Sequence, residues 1–345
     1  MKLIHHAFSE VGQHAAFLAD WDQHYFQMDS GNFQSDLHQF DVDDIHLFCE
    51  SANRRIVQRG SIPGDAIAIG VPLNPPPATM TFSGRIVSSN SIILARPGAE
   101  FMLHAPANAR LLGIEIKRDY LARHPILTTR LRERMKSNCT IDVPADVHER
   151  INTMWRELPE DAVDAERYLG QACAKRRIAS LILELVHQLL DNGIDDRKAD
   201  ITWMSHSDVV ARAHDMILQS PQEPVTIHQL CESLKISRRA VQNSFHAVTG
   251  KSPHEYIRAI RLNLVRETLL RTAASDVTVR DAAQRWGFFH SSRFPRDYRA
   301  MFGEMPSDSR PDPHYMTTIT GNPAVQRFNL HRRFDAPEWH LKRHQ

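Results

Sequence analysis

The chain has little of what would tie it to a disulfide framework, a membrane or a familiar catalytic motif. Its four cysteines, Cys49, Cys139, Cys173 and Cys231, are scattered, with no CxxC pair and no bridge-like spacing, which excludes a disulfide scaffold. No apolar run approaches the roughly 20 residues of a membrane span. The opening MKLIHHAFSE lacks the apolar stretch of a secretory signal. A reducing cytoplasm, with no membrane partner, is therefore the expected compartment. G-x-S-x-G, P-loop and G-x-G-x-x-G signatures are all absent, which removes the common hydrolase and nucleotide-binding readings. His24, His38, His46 and His104 fall in or near short strand-like runs, but without any H-x-H pair. A metal-dependent β-barrel enzyme fused to a second domain is thus the weaker alternative, with no catalytic or metal residue assigned.

What is present is an uneven charge. A chain of 345 residues is long enough for two or three domains. Its net charge of +1 hides 14 Lys/Arg against 8 Asp/Glu in residues 225–310, and 23 against 30 in residues 1–224. A basic block beside an acidic body is what phosphate binding by one domain would produce, although a solvated face would look the same.

Along the chain, residues 13–27 read as a short amphipathic helix. From Phe33 to about Lys117 the texture becomes short, partly alternating runs broken by Gly, Pro and Asn, the pattern of an antiparallel sheet, sandwich or barrel. Pro75-Pro76-Pro77 must be a loop, since prolines cannot donate to a ladder. Helical period takes over at 127–136, 144–158 and 164–191. In the last, Leu169, Ala172, Ala179, Leu183, Val186 and Leu190 form an apolar stripe, suited either to a twin helix in a homodimer or to the chain's own sheet. The fold class is therefore α+β: a β-rich sensor or dimerisation domain over 1–200, an all-α domain over 201–310, and a tail over 311–345 without sustained period.

The all-α part contains one pattern twice. Val225, Ile227, Leu230 and Ile236 return as Val277, Val279, Ala282 and Phe288 at an offset of 52. Val241, Phe245, Gly250 and Pro253 return as Phe294, Tyr298, Gly303 and Pro306 at an offset of 53. Each copy (226–249 and 278–302) has the form of a helix-turn-helix, and a helix over 253–270 joins them. In the first, Ser237 caps a helix on which Val241, Phe245 and Val248 face inward. Arg238, Arg239, Gln242 and Asn243 then point outward at its N-terminal end, the end that enters a major groove. Arg suits guanine O6/N7, and Asn or Gln suits adenine N6/N7; His246 is placed for a phosphate. In the second copy His290, Ser291, Ser292, Arg293, Arg296 and Asp297 are left for the groove. Pro295 is tolerated only in a first turn, so this helix is expected to start at Ser291 or Ser292 with a distorted turn. On the joining helix Arg258, Arg261, Arg266 and Arg271 are candidates for phosphates.

Ser237-Arg238-Arg239, Gly250-Lys251-Ser252-Pro253, Tyr256-Ile257, Arg261-Leu262, Ala282-Ala283, Gly287-Phe288, Phe294, Phe302-Gly303 and Met305-Pro306-Ser307 together resemble the AraC/XylS family of transcription regulators. The resemblance covers residues 207–310. It implies an effector-sensing activator that binds double-stranded promoter DNA through two helix-turn-helix units and works beside RNA polymerase. Pro295 departs from the serine or threonine usual there. Trp21-Asp22-Gln23-His24-Tyr25, Ser30-Gly31-Asn32-Phe33, Asp43 to Phe48, Arg96-Pro97-Gly98 with Glu100-Phe101, and later Ser237-Arg238-Arg239 with Gln242-Asn243 and Phe245-His246-Ala247 resemble the ethanolamine-operon regulator branch. That finer resemblance implies ethanolamine, with a cobalamin, as the inducing molecules; no residue is assigned to either. A DNA-binding protein that senses no ligand remains the other alternative.

Overall fold

A computed structural model describes residues 4–18, 21–73, 78–134, 139–156, 172–192, 201–221, 223–289 and 292–310. The triple proline, the polar stretch after residue 192, the first part of the 164–191 helix, His290, Ser291 and the 311–345 tail lie outside the described residues.

Twelve described strands build two antiparallel sheets. In chain order they are β1 (Ile4–Phe8), β2 (Asp22–Gln27), β3 (Ser35–Val42), β4 (Ile45–Ala52), β5 (Ile56–Ser61), β6 (Ala66–Pro72), β7 (Met80–Phe82), β8 (Arg85–Val87), β9 (Ser91–Ala95), β10 (Glu100–Ala105), β11 (Arg110–Lys117) and β12 (Cys139–Asp142). A seven-stranded sheet runs β1-β3-β4-β11-β6-β9-β12, and a five-stranded sheet runs β2-β5-β10-β7-β8. The described helices of this half are α1 (Val11–Phe17), α2 (Arg118–Ala122), α3 (Pro125–Arg134), α4 (Ala145–Arg156) and α5 (Ala172–Asn192).

Successive strand residues point to opposite faces, and here both faces of both sheets are covered. On the seven-stranded sheet Leu47, Ile69, Leu94, Leu112 and Ile114 share a core with Ile151 of α4 and Ile182 of α5. Its other face, with Ala68, Ile93 and Leu111, meets Tyr25, Ile56, Phe101 and Leu103 of the five-stranded sheet. This double burial explains the nearly continuous apolar runs at IAIGV and SIILA.

One expectation from the sequence needs correcting. The helix expected over 13–27 ends at Phe17, and residues 22–27 are strand β2, paired with β5 through Tyr25↔Gln58 and Phe26↔Val57. Phe17, Trp21 and Tyr25 sit at helical spacing, but Gln23, Tyr25 and Gln27 also alternate. Pairing with β5 decides between the two patterns.

The second half holds α6 (Ile201–Gln219), α7 (Ile227–Leu234), α8 (Arg238–Thr249), α9 (Pro253–Arg271), α10 (Val279–Arg285) and α11 (Phe294–Phe302). Tyr256, Ile260, Leu264 and Leu269 of α9 are buried at its centre, with Leu230, Val241 and Phe245 on one side and Ala282, Phe294 and Tyr298 on the other. The outer face of the five-stranded sheet closes this core: Phe26, Met28, Val57 and Met102 belong to the same apolar cluster as these helices. Among the described residues no helix is long and apolar enough to cross a membrane.

Candidate nucleic-acid interface

The two copies of the repeat are built by the same local chemistry. Thr226 opens α7 by accepting a hydrogen bond from the Gln229 amide, while the Gln229 side chain accepts from the Thr226 amide. Thr278 and Asp281 make the same reciprocal pair at α10. Such boxes satisfy two of the four free amides at a helix start. Asp281 has its pKa lowered by these bonds from Thr278. Both second helices end on a left-handed glycine, Gly250 at φ +68° and Gly303 at φ +79°. Both positions need glycine for that reason.

On α8 the Ser237 hydroxyl accepts from the Ala240 amide at 3.2 Å, which fixes where the helix begins. Val241, Ser244, Phe245, Val248 and Thr249 form its buried side. Arg238, Arg239, Gln242, Asn243 and His246 are all exposed on the opposite side. They present four side chains able to read base edges, gathered in the first turn and a half, with His246 one turn further along.

The second reading helix differs from expectation. α11 begins at Phe294 rather than at Ser291 or Ser292, with Arg293 as its N-cap residue. Pro295 therefore falls in the first turn, where a missing amide costs nothing, and no helix interior is distorted. Ser292 and Arg293 are exposed in the turn before the helix, and Arg296 is exposed on it. Asp297 is committed instead to an ion pair with Arg258 of α9. Arg258 thus holds α11 in place, with half of its side chain still exposed. Arg299 is exposed one turn beyond Arg296; its three-residue spacing from Arg296 is the signal by which the sequence could have flagged it.

Arg261 is not available to a phosphate. It is 4% exposed, and its guanidinium donates to the main-chain oxygens of Trp286 (2.6 Å), Ser220 (3.1 Å) and Glu223 (2.8 Å). Burial lowers its pKa to about 10. Gly287 stands beside it at φ +81°, and a Cβ there would lie 2.1 Å from the Arg261 nitrogen. Arg261 is a brace tying α9 to the end of α6 and the turn of the second unit. Arg266 is likewise occupied, by Glu304 at 3.0 Å and by the ring of Phe302, and Arg271 pairs with Glu267.

The β-rich half holds the opposite ends of the reading helices. Arg55 donates to the Thr249 oxygen at the end of α8. The Gly31 amide donates to the oxygens of Ala300 and Met301 near the end of α11. Lys251 pairs with Asp29 at 2.9 Å. Between them the Asn263 carboxamide accepts from the Gln27 amide at 2.9 Å and donates to the Gln27 oxygen at 2.8 Å. These docking contacts escaped the sequence reading, because nothing in the pattern links residue 27 to residue 263. They leave the N-terminal ends of α8 and α11 clear.

The family description "Helix-turn-helix domain" matches residues 230–311. The probable thc operon regulatory protein of Rhodococcus erythropolis is 34% identical over 100 residues, covering 29% of this chain and 30% of that protein. The XylDLEGF operon transcriptional activator 2 of Pseudomonas putida is 33% identical over 98 residues, covering 28% of this chain and 62% of that protein. A solved structure, a probable AraC family transcriptional regulator from Rhodopseudomonas palustris, is 33% identical, covering 30% of this chain and 99% of that one, with a TM-score of 0.27. Residues 230–311 match a helix-turn-helix domain and share it with regulators of operons. By their names, the first of these relatives is a regulatory protein and the second a transcriptional activator. The chain spans only 30% and 62% of the two curated relatives' lengths. Each shares about 100 residues with it, and neither name points to the ethanolamine-operon branch.

Proposed function

We propose that this protein is a sequence-specific transcriptional activator of a catabolic operon, in which residues 201–310 bind promoter DNA and residues 1–200 sense a small molecule. The observation that carries the DNA-binding part is the division of α8. One side is sealed in the core, while Arg238, Arg239, Gln242, Asn243 and His246 share the other at the end facing away from the β-rich half. Arg293, Arg296 and Ser292 supply the second, smaller reading set, with His290 and Ser291 placed beside it by sequence. Arg258 lies next to this set through its pair with Asp297. The stiff helix α9 between the units suits successive major grooves, about 34 Å apart on one side of a duplex. Activation would act through RNA polymerase in the cytoplasm. The effector would shift the balance between arrangements of the two halves.

The names of the thc and XylDLEGF relatives support an operon regulator as the class. An amine such as ethanolamine, with a cobalamin, is the finer reading of the inducer and rests on the branch resemblance alone. To test the main reading, the full chain is incubated with a random duplex pool and the retained sequences are read. Two short conserved blocks about one helical turn apart are expected. Retention without any enriched sequence would refute specific recognition.

A further inference from the structure

The two sheets do not fill the space between them. Between their inner faces lies a hollow of about 450 Å³, counted together with the solvent at its mouth. Small residues of the seven-stranded sheet, Ala68, Gly70, Ala95 and Gly113, make the room. Gly113 is obligatory: it lies directly opposite Phe48, and a Cβ on it would sit 2.1 Å from that ring. Trp21, Phe48, Phe82 and Phe101 supply aromatic walls.

One part of this apolar lining is polar, and it is unfinished. Glu50 is 6% exposed and lines the cavity. Its carboxylate accepts from the Tyr25 hydroxyl at 2.8 Å and from the Gln58 amide at 2.8 Å. His14 lies 3.5 Å away, but burial lowers its pKa to about 3, so it brings no charge at neutral pH. The Gln23 carboxamide, on a side chain 1% exposed, lines the same cavity beside Tyr25. Neutral donors satisfy the hydrogen-bonding needs of a buried carboxylate but not its charge, and an uncompensated buried charge is costly. Burial accordingly raises the pKa of Glu50. A cation placed against it would favour the ionised form again, and aromatic faces add to the attraction for an organic cation.

We propose that this cavity binds a small organic ammonium ion, its nitrogen against Glu50 and its apolar body between Trp21, Phe48, Phe82 and Phe101. An aryl or alkyl amine, whose apolar body covers those walls, is the fitting class. The proposal rests on the sensing role of residues 1–200, and its test is made without DNA, so failure of DNA recognition leaves it standing.

The full-length protein is titrated calorimetrically with benzylamine, benzyl alcohol and benzoate at neutral pH. Benzylamine binds, benzyl alcohol binds about tenfold more weakly for want of the charge-assisted bond, and benzoate does not bind. Glu50→Gln removes the difference between amine and alcohol. Phe101→Leu, which leaves the carboxylate in place, weakens both. The proposal is overturned if benzoate binds as well as benzylamine, or if benzylamine shows no heat at millimolar concentration. It is also overturned if folded Glu50→Gln keeps the preference for the amine, or if Phe101→Leu changes nothing.

Discussion

Arg261 is where the structure and a phosphate-contact reading make opposite forecasts. Replacing it by methionine keeps the stem and removes a guanidinium that donates to three main-chain oxygens, those of Trp286, Ser220 and Glu223. A hydrogen bond from a charged donor contributes roughly 1.5–3 kcal/mol. Against the sum stands the cost of keeping the cation out of water, visible in the lowering of its pKa to about 10. A net loss of about 2–4 kcal/mol is expected, larger than most surface substitutions produce. Urea unfolding followed by tryptophan fluorescence measures it, because Trp286 is 8% exposed and lies in the same turn. The second assay is the salt dependence of DNA binding at a temperature where the variant is folded. A brace leaves the slope of log K against log salt where it was, whereas a phosphate contact would lower it by about one. Unchanged stability with a reduced slope would refute the assignment.

Three further outcomes follow from the same structure. Arg239→Ala should weaken binding to the preferred duplex by about 1–3 kcal/mol with no change in unfolding, because the residue is exposed; full retention of sequence preference would remove it from the reading set. His14, His104 and His214 are buried, with pKa values lowered to about 3, 4 and 3 by desolvation. The unfolded chain therefore takes up protons near pH 6.5 that the folded one refuses. Stability should fall as pH drops from about 6.5 towards 4, by roughly 1 kcal/mol per pH unit for each histidine. A flat stability profile across that window would show that these rings are solvated. Gly303→Ala should cost more than the 1–2 kcal/mol of a left-handed alanine, since its Cβ would lie 1.6 Å from the Asn32 side-chain oxygen. Adding Asn32→Ala should recover part of that loss in urea titrations, and no recovery would mean the two halves do not meet there.

The strands were readable because alternation and turn residues mark them, and the paired helices because their buried positions recur. Residues 22–27 were not, since aromatic spacing there satisfies two periods and only the pairing with β5 decides. The exposed set on α8 followed directly from Ser237 as cap and Val241 and Phe245 as core. The fate of Arg261 could not follow, because its acceptors lie 25 to 41 residues away in the chain. The polar cluster in the cavity was equally hidden. Tyr25, Glu50 and Gln58 stand on three strands, and only sheet register and the facing of the two sheets bring them together.

Strand β2 has one more consequence. Gln23 and Tyr25 look into the hollow between the sheets, while Phe26, of the opposite parity, belongs to the helices' core. Neighbouring codons therefore govern separate properties: a change at Gln23 or Tyr25 alters the hollow, and a change at Phe26 alters how firmly the helical half is held. On the proposed reading, a lineage can acquire a new inducer without surrendering its operator, one substitution at a time, along a ribbon six residues long.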